Sequence, residues 1–175
     1  MQVFRRISKQ TLMKNNREMA EQLRRLEPLT GIIQEFERQL ERGYQLYWLR
    51  QDGGTVWYAA GRMIVYDHVE ISLLFFQMEK SSPPERIGEC DLIHRKRSLY
   101  IHRFEPSVAK KGYGSVMMEA ILHFARRQNP IKQVSGWLAP GDLKSHGERL
   151  LHFYQKFGFS MTDLEEGKQI TLDLS

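Results

Sequence analysis

The hydrophobic pattern of the chain changes period along its length. Leu12, Met19, Leu23 and Leu26 recur near helical spacing among Lys, Arg and Glu, which predicts an amphipathic helix. Pro28 stops or kinks it. Thr30 is placed to cap a second helix with Ile32, Ile33, Phe36 and Leu40 on one face, and Gly43 ends it. The pair reads as a helical hairpin packed on a sheet. From residue 44 the spacing shortens. Residues 44–50 are aromatic and β-prone, and Asp52-Gly53-Gly54 is a hairpin turn. Residues 55–66 and 69–78 read as the next two strands, joined by Asp67-His68. Ser81-Ser82-Pro83-Pro84 is a loop. Residues 86–92 and 98–104 read as two more strands turned through Arg95-Lys96-Arg97, with Pro106 closing the second.

Helical spacing then returns. Lys110, Lys111, Gly112, Tyr113 and Gly114 follow a strand, and Val116, Met117, Ala120, Ile121 and Phe124 give one apolar face through about Arg127. Asn129-Pro130 breaks that helix, residues 134–138 form a short strand, and Pro140-Gly141-Asp142 reads as a turn. Ser145 is the expected cap of a last helix running to Lys156, stopped by Gly158. Residues 159–161 and 169–174 read as a closing hairpin around Glu166-Gly167. The fold class expected is mixed α/β (α+β), a mostly antiparallel central sheet flanked by helices, in a single domain over residues 1–175.

Composition narrows the chemistry. A net charge of +5 suits an anionic partner. The one cysteine, Cys90, excludes an internal disulfide framework and a multi-cysteine zinc site. No His-x-His or His-x-x-x-His pair stands in the chain, so no metal is expected. No stretch approaches the roughly 20 apolar residues of a membrane span, and the first ten residues lack a signal-peptide core. A cytoplasmic, soluble protein is expected. No basic patch interleaved with aromatics is read, so a nucleic acid is not the expected partner. A homodimer stays open.

The glycine corner is the first chemical candidate. A helix N-terminus offers unpaired N–H groups and partial positive charge, for which phosphate oxygens are natural partners. Gly112 and Gly114 allow close backbone approach, and Lys110 and Lys111 add mobile charge. The stretch is not a P-loop, because no Gly-Lys-Ser/Thr follows. Nor is it a dinucleotide fingerprint, because Met117 stands where a third glycine would be.

Residues 99–159 resemble the GNAT superfamily of N-acetyltransferases on two motifs. The family's Arg/Gln-x-x-Gly-x-Gly/Ala turn stands here as Ala109-Lys110-Lys111-Gly112-Tyr113-Gly114, with alanine in place of the basic or amide residue. Its Tyr-x-x-x-Gly-Phe stands as Tyr154-Gln155-Lys156-Phe157-Gly158-Phe159, and Gly147 occupies the place of a frequent asparagine. The resemblance implies a GNAT-like fold, acetyl-coenzyme A as acyl donor and a primary amine as acceptor. It also implies that the backbone of Ile101, His102 and Arg103 pairs with the pantetheine amides. The N–H groups of Gly112, Tyr113, Gly114 and Ser115, helped by Lys110 and Lys111, would hold the pyrophosphate. Tyr154 would stand near the sulfur and protonate the leaving thiolate, which a phenol of pKa about 10 can do.

The base is open between His102, Glu105, Glu89 or Asp91, and a water relay. Strand alternation is expected to put His102 and Phe104 on one face and Ile101 and Arg103 on the other. Cys90 as an acylated nucleophile has no base partner in the sequence. The acceptor is expected in a cleft between the N-terminal helices and the middle strands, where Tyr44, Trp48, Trp57 and Tyr58 are lining candidates that core packing explains equally well. The alternative function is a non-catalytic GNAT-like module that binds coenzyme A or a protein partner.

Overall fold

The computed structural model describes residues 37–38, 41, 43–79, 83–108, 111–128 and 130–174. Most of the expected N-terminal helical hairpin, Ala109 and Lys110 lie outside the described residues.

Eight strands build one sheet: β1 (Gln45–Asp52), β2 (Thr55–Val65), β3 (Val69–Glu79), β4 (Glu85–Arg95), β5 (Ser98–Pro106), β6 (Gln133–Leu138), β7 (Ser160–Asp163) and β8 (Lys168–Asp173). Their order is β1-β2-β3-β4-β5-β6-β8-β7. The first five form an antiparallel meander, as expected of successive period-2 segments joined by tight turns. Asp52 pairs with Thr55 across Gly53-Gly54, and Arg95 pairs with Ser98 across Lys96-Arg97. The β5–β6 pair is parallel, so it needs a crossover. Helix α1 (Tyr113–Arg127) supplies it, and α2 (Pro140–Lys156) connects β6 to the final hairpin.

The core sits mainly between the sheet and the two helices. Met117, Met118, Ile121 and Ala125 of α1 are fully buried against Phe75, Ile87, Leu92 and Leu99 of the sheet. Tyr47 of β1 meets Phe124 edge to face at 5.4 Å. A second cluster, Leu46, Val56, Tyr58, Ala60, Phe76 and Met78, uses alternate positions of β1, β2 and β3.

Two expectations are corrected. Pro140-Gly141-Asp142 is the first turn of α2 rather than a separate turn, because proline at the first helical position carries a preset φ and loses no hydrogen bond there. Ser145 is therefore inside the helix, and its hydroxyl donates back to the Gly141 carbonyl at 2.9 Å instead of capping. The next residue, His146, leaves helical geometry at φ −144°, so α2 is kinked there.

The β2–β3 turn carries a pH-sensitive contact. His68 Nδ1 lies 2.6 Å from Asp67 and Nε2 lies 3.0 Å from Glu70. Hydrogen bonding to Glu70 and then Asp67 raises the His68 pKa above its ordinary 6.5. The charged imidazole is thus favoured in the folded state. Its stabilising contribution is complete below pH 6.5 and is lost as pH rises through the higher folded value. Denaturant unfolding across this range should show that loss in the unsubstituted chain and a flatter curve in His68→Gln.

Candidate active site

Three elements converge where β5 ends, α1 begins and α2 ends. The parallel pairing of β5 with β6 runs from Ser98–Gln133 to Ile101–Gly136. Beyond Ile101, β5 continues to Pro106 on β4 alone, so among the described residues no strand pairs with its other edge there. The cause is local. Arg103 pairs with Asp91 while Ile101 pairs with Leu92, which leaves His102 as the extra residue of a β-bulge. A bulge bends its strand and increases twist, and the parting from β6 begins at that residue.

The bulge also overturns the expected alternation. Ile101 pairs with Leu92 and Phe104 with Cys90, and Leu92 and Cys90 lie two apart on β4. Ile101 and Phe104 therefore share one face, with Arg103 and its partner Asp91 on the other. Ile101 is buried and would contribute main chain only, while His102 and Arg103 are exposed.

The start of α1 packs beside the end of β5, where a Cβ added at Gly114 would meet Pro106 at 3.5 Å. Gly112 is its N-cap at φ 78°, a left-handed conformation that suits glycine. No side chain caps the helix and no acidic residue occupies its first turn, a combination that leaves it receptive to an anion. The Ser115 and Val116 N–H groups donate to the Gly112 carbonyl at 3.0 and 3.3 Å. Of the expected set, then, Ser115 N–H is already used, while Tyr113 and Gly114 have no preceding helical carbonyl to serve. The Tyr113 ring is buried, with Trp57 edge-on at 6.1 Å and Lys111 Nζ 5.7 Å from its centroid. Lys111 is exposed beside it, and Ser115 Oγ accepts from Lys156 Nζ at 3.4 Å.

The end of α2 gives the second motif its physical basis. Phe159 N–H donates to the Tyr154 carbonyl at 3.1 Å and Gly158 N–H to the Gln155 carbonyl at 2.9 Å. With Gly158 at φ 85°, this is a Schellman cap. Phe159 returns to touch the Tyr154 ring at 5.4 Å. The tyrosine, glycine and phenylalanine thus have defined places in one helix terminus. Tyr154 is 5% exposed, and burial foremost, then nearby Cys90 and Asp142, pushes its phenol well above the ordinary 10. It stays protonated.

Phe153, an apolar residue of the last helix directly before the Tyr154 motif, is the joint between the three elements. Its ring lies 5.7 Å from Phe104 on β5 and 5.1 Å from Tyr154. A Cβ added at Gly114 would meet it at 3.4 Å. Phe153→Ala should cost about 2 kcal/mol, below the 3–5 of a fully buried ring, and should weaken coenzyme A binding by loosening β5 from α1. Thermal unfolding and calorimetry check the two effects separately.

The candidate bases divide. Arg103 Nε donates to Asp91 at 2.8 Å and Nη1 to Glu89 at 2.5 Å, and Arg86 also pairs with Glu89. Glu89 and Asp91 are thereby committed to arginines. Glu105 is mostly exposed, with Arg103 at 3.8 Å. Burial pushes the Cys90 thiol well up, so it is neutral and not a nucleophile. Of the aromatic lining candidates, Trp48 and Tyr58 are buried, Tyr58 stacked on Phe76 at 5.0 Å. Among the described residues no cluster suits a metal ion, and no helix is long and apolar enough to cross a membrane.

No family model and no curated protein matches this chain. Similar solved structures include the N-acetyltransferase PseH of Campylobacter jejuni, at 15% identity over 94% of this chain and 95% of that one, TM-score 0.46. PaiA N-acetyltransferase of Thermoplasma acidophilum, in complex with coenzyme A, shares 16% over 59% and 61%, TM-score 0.44. Tetrahymena GCN5 shares 15% over 61% and 69%, TM-score 0.42. The match spans less than two thirds of the PaiA chain.

Proposed function

We propose that the chain is a GNAT-type N-acetyltransferase that moves an acetyl group from acetyl-coenzyme A to a primary amine by direct attack. The observation that carries this reading is the parting of β5 from β6 after Ile101, beside a helix start capped only by Gly112. An extended amide-bearing chain fits the open edge as an added strand. A diphosphate fits the Tyr113 and Gly114 N–H groups, with Lys111 and Lys110 supplying charge in place of the residue that Ala109 lacks.

The neutral amine forms the C–N bond, the C–S bond breaks, and Tyr154 gives its proton to the leaving thiolate. His102 or Glu105, directly or through water, takes the proton from the amine. Calorimetry with acetyl-coenzyme A, followed by thiol release against a panel of amines, tests the reading. Absence of heat at high acetyl-coenzyme A concentration would sink it. Replacement of His102 or Glu105 by glutamine then asks which one shapes the acid side of the rate profile.

A second reading, binding without transfer, draws on the commitment of Glu89 and Asp91 to arginines. It expects coenzyme A binding with no thiol release from any amine.

A further inference from the structure

An open cleft of about 660 Å³ lies between β1, the outer side of α1 and the end of α2. Three elements line it with basic residues: Arg50 on β1, His123, Arg126 and Arg127 on α1, and Lys156 on α2. Trp48, Leu122 and Phe157 supply apolar surface. The volume suits a small ligand. Its acidic lining is Glu119, which is already committed: Arg50 Nη1 donates to it at 2.5 Å, while Nη2 reaches Asp52 at 3.1 Å. Those pairs fix Arg50 at the rim and consume the local negative charge. Among the described residues, Arg126 has no carboxylate partner, and Lys156 meets the Ser115 hydroxyl at 3.4 Å and the Phe157 ring at 5.5 Å.

Part of this has a simple cause. Arg126 and Arg127 sit in the last turn of α1, where cations favour the negative end of the helix dipole. That does not account for Lys156, which another helix brings in, or for His123, placed a turn earlier beside like charges. Arg50 already has its carboxylates, but the cations that α1 and α2 bring to this concavity repel each other unless an anion joins them.

We infer that this cleft binds a small anion carrying two or more phosphates, at a site that extends from Lys156, beside Ser115, toward Arg126. At about 1.5 Å per residue, Arg126 lies roughly 20 Å along the helix from Gly112, farther than one diphosphate reaches. Arg126 offers a planar fork and Lys156 a point charge, the two usual ways of holding phosphate oxygens. The inference stands whether or not the chain transfers acetyl groups.

His123 makes the site pH-dependent. It faces Glu119, Arg126 and Arg127 on its own helix, Arg50 from β1 and Lys156 from α2. Burial first, then the charges of Arg127 and Arg126, lowers its pKa. A bound anion opposes those charges and favours the imidazolium. Binding therefore tightens as pH falls.

The test is calorimetric titration of the full chain with inorganic tripolyphosphate at about pH 6 and about pH 8. Binding is expected, and Arg126→Glu should weaken it roughly tenfold or more with an unchanged thermal midpoint. The preference for low pH should shrink in His123→Gln, and Gly112→Val, which disables the corner, should retain the site. Absence of heat with millimolar tripolyphosphate, full affinity in Arg126→Glu, or loss of binding in a folded Gly112→Val chain would each overturn the inference.

Discussion

Valine at position 112 is expected to weaken coenzyme A binding about 100-fold, equivalent to about 2.7 kcal/mol, while alanine at position 114 leaves it within about threefold. The two glycines of the corner differ in what they resist. Gly112 sits at φ 78° with no neighbour within 4 Å of an added Cβ, so space is not its constraint. Its constraint is the backbone: a left-handed L-residue costs about 1–2 kcal/mol, and a β-branched one more. The chain would relax toward negative φ and swing the Tyr113 and Gly114 N–H groups off their common direction. At Gly114 an added Cβ meets Phe153 at 3.4 Å and Pro106 at 3.5 Å, ordinary contact distances. Alanine therefore fits, and leucine would displace Phe153. Calorimetry with coenzyme A on chains of matched thermal stability reads the contrast. Equal affinity in Gly112→Val would reduce the corner to a structural turn.

The second large effect is expected at Tyr154. Tyr154→Phe should lower turnover by about 100-fold, the lower end of the range for a lost general acid. Coenzyme A affinity and thermal midpoint should stay close to those of the parent. Phenylalanine keeps the edge-to-face contacts with Phe153 and Phe159, centred at 5.1 and 5.4 Å, and the cap uses the Tyr154 carbonyl rather than its hydroxyl. Tyr154→Ala tests something else: it opens a cavity beneath the cap and should cost about 3–5 kcal/mol. The pH profile supplies an independent check. Because burial raises the Tyr154 pKa above 10, the acid stays protonated below that value. The rate should rise with pH as amine and base lose protons, without an alkaline fall from this group below pH 10. Unchanged turnover in Tyr154→Phe would make the tyrosine a packing residue of the helix cap.

The five-strand meander is legible because its strands are aromatic and β-branched runs, buried on both faces in β1 and β2, and each turn carries its own chemistry, Gly53-Gly54 and Lys96-Arg97 among them. Strand ends differ by a few residues: β4 runs to Arg95, beyond the 86–92 that the sequence pattern predicts, because hairpin pairing with β5 extends over polar positions. The chain also disclosed the candidate motifs. Gly112 stands where a left-handed cap is needed, and Gly158 with Phe159 forms the terminus that holds Tyr154. Pro140 opens a helix although the sequence predicts a turn there, because a proline-glycine pair signals a turn equally well whether or not a helix follows.

By itself, then, the sequence determined the order of elements from residue 44 onward and the two glycine-bearing helix ends, since local periodicity and backbone preference act over a few residues. Only the tertiary structure decided what meets at the site. The bulge at His102 arises from pairing with β4, so alternation along β5 alone put Phe104 on the wrong face. The parting of β5 and β6 after Ile101 depends on a strand more than thirty residues away. The engagement of Glu89 and Asp91 by Arg103, and the junction of β5, α1 and α2 at Phe153, are likewise contacts between distant segments. Long-range packing fixes such contacts, and no local pattern of hydrophobic and polar residues encodes them.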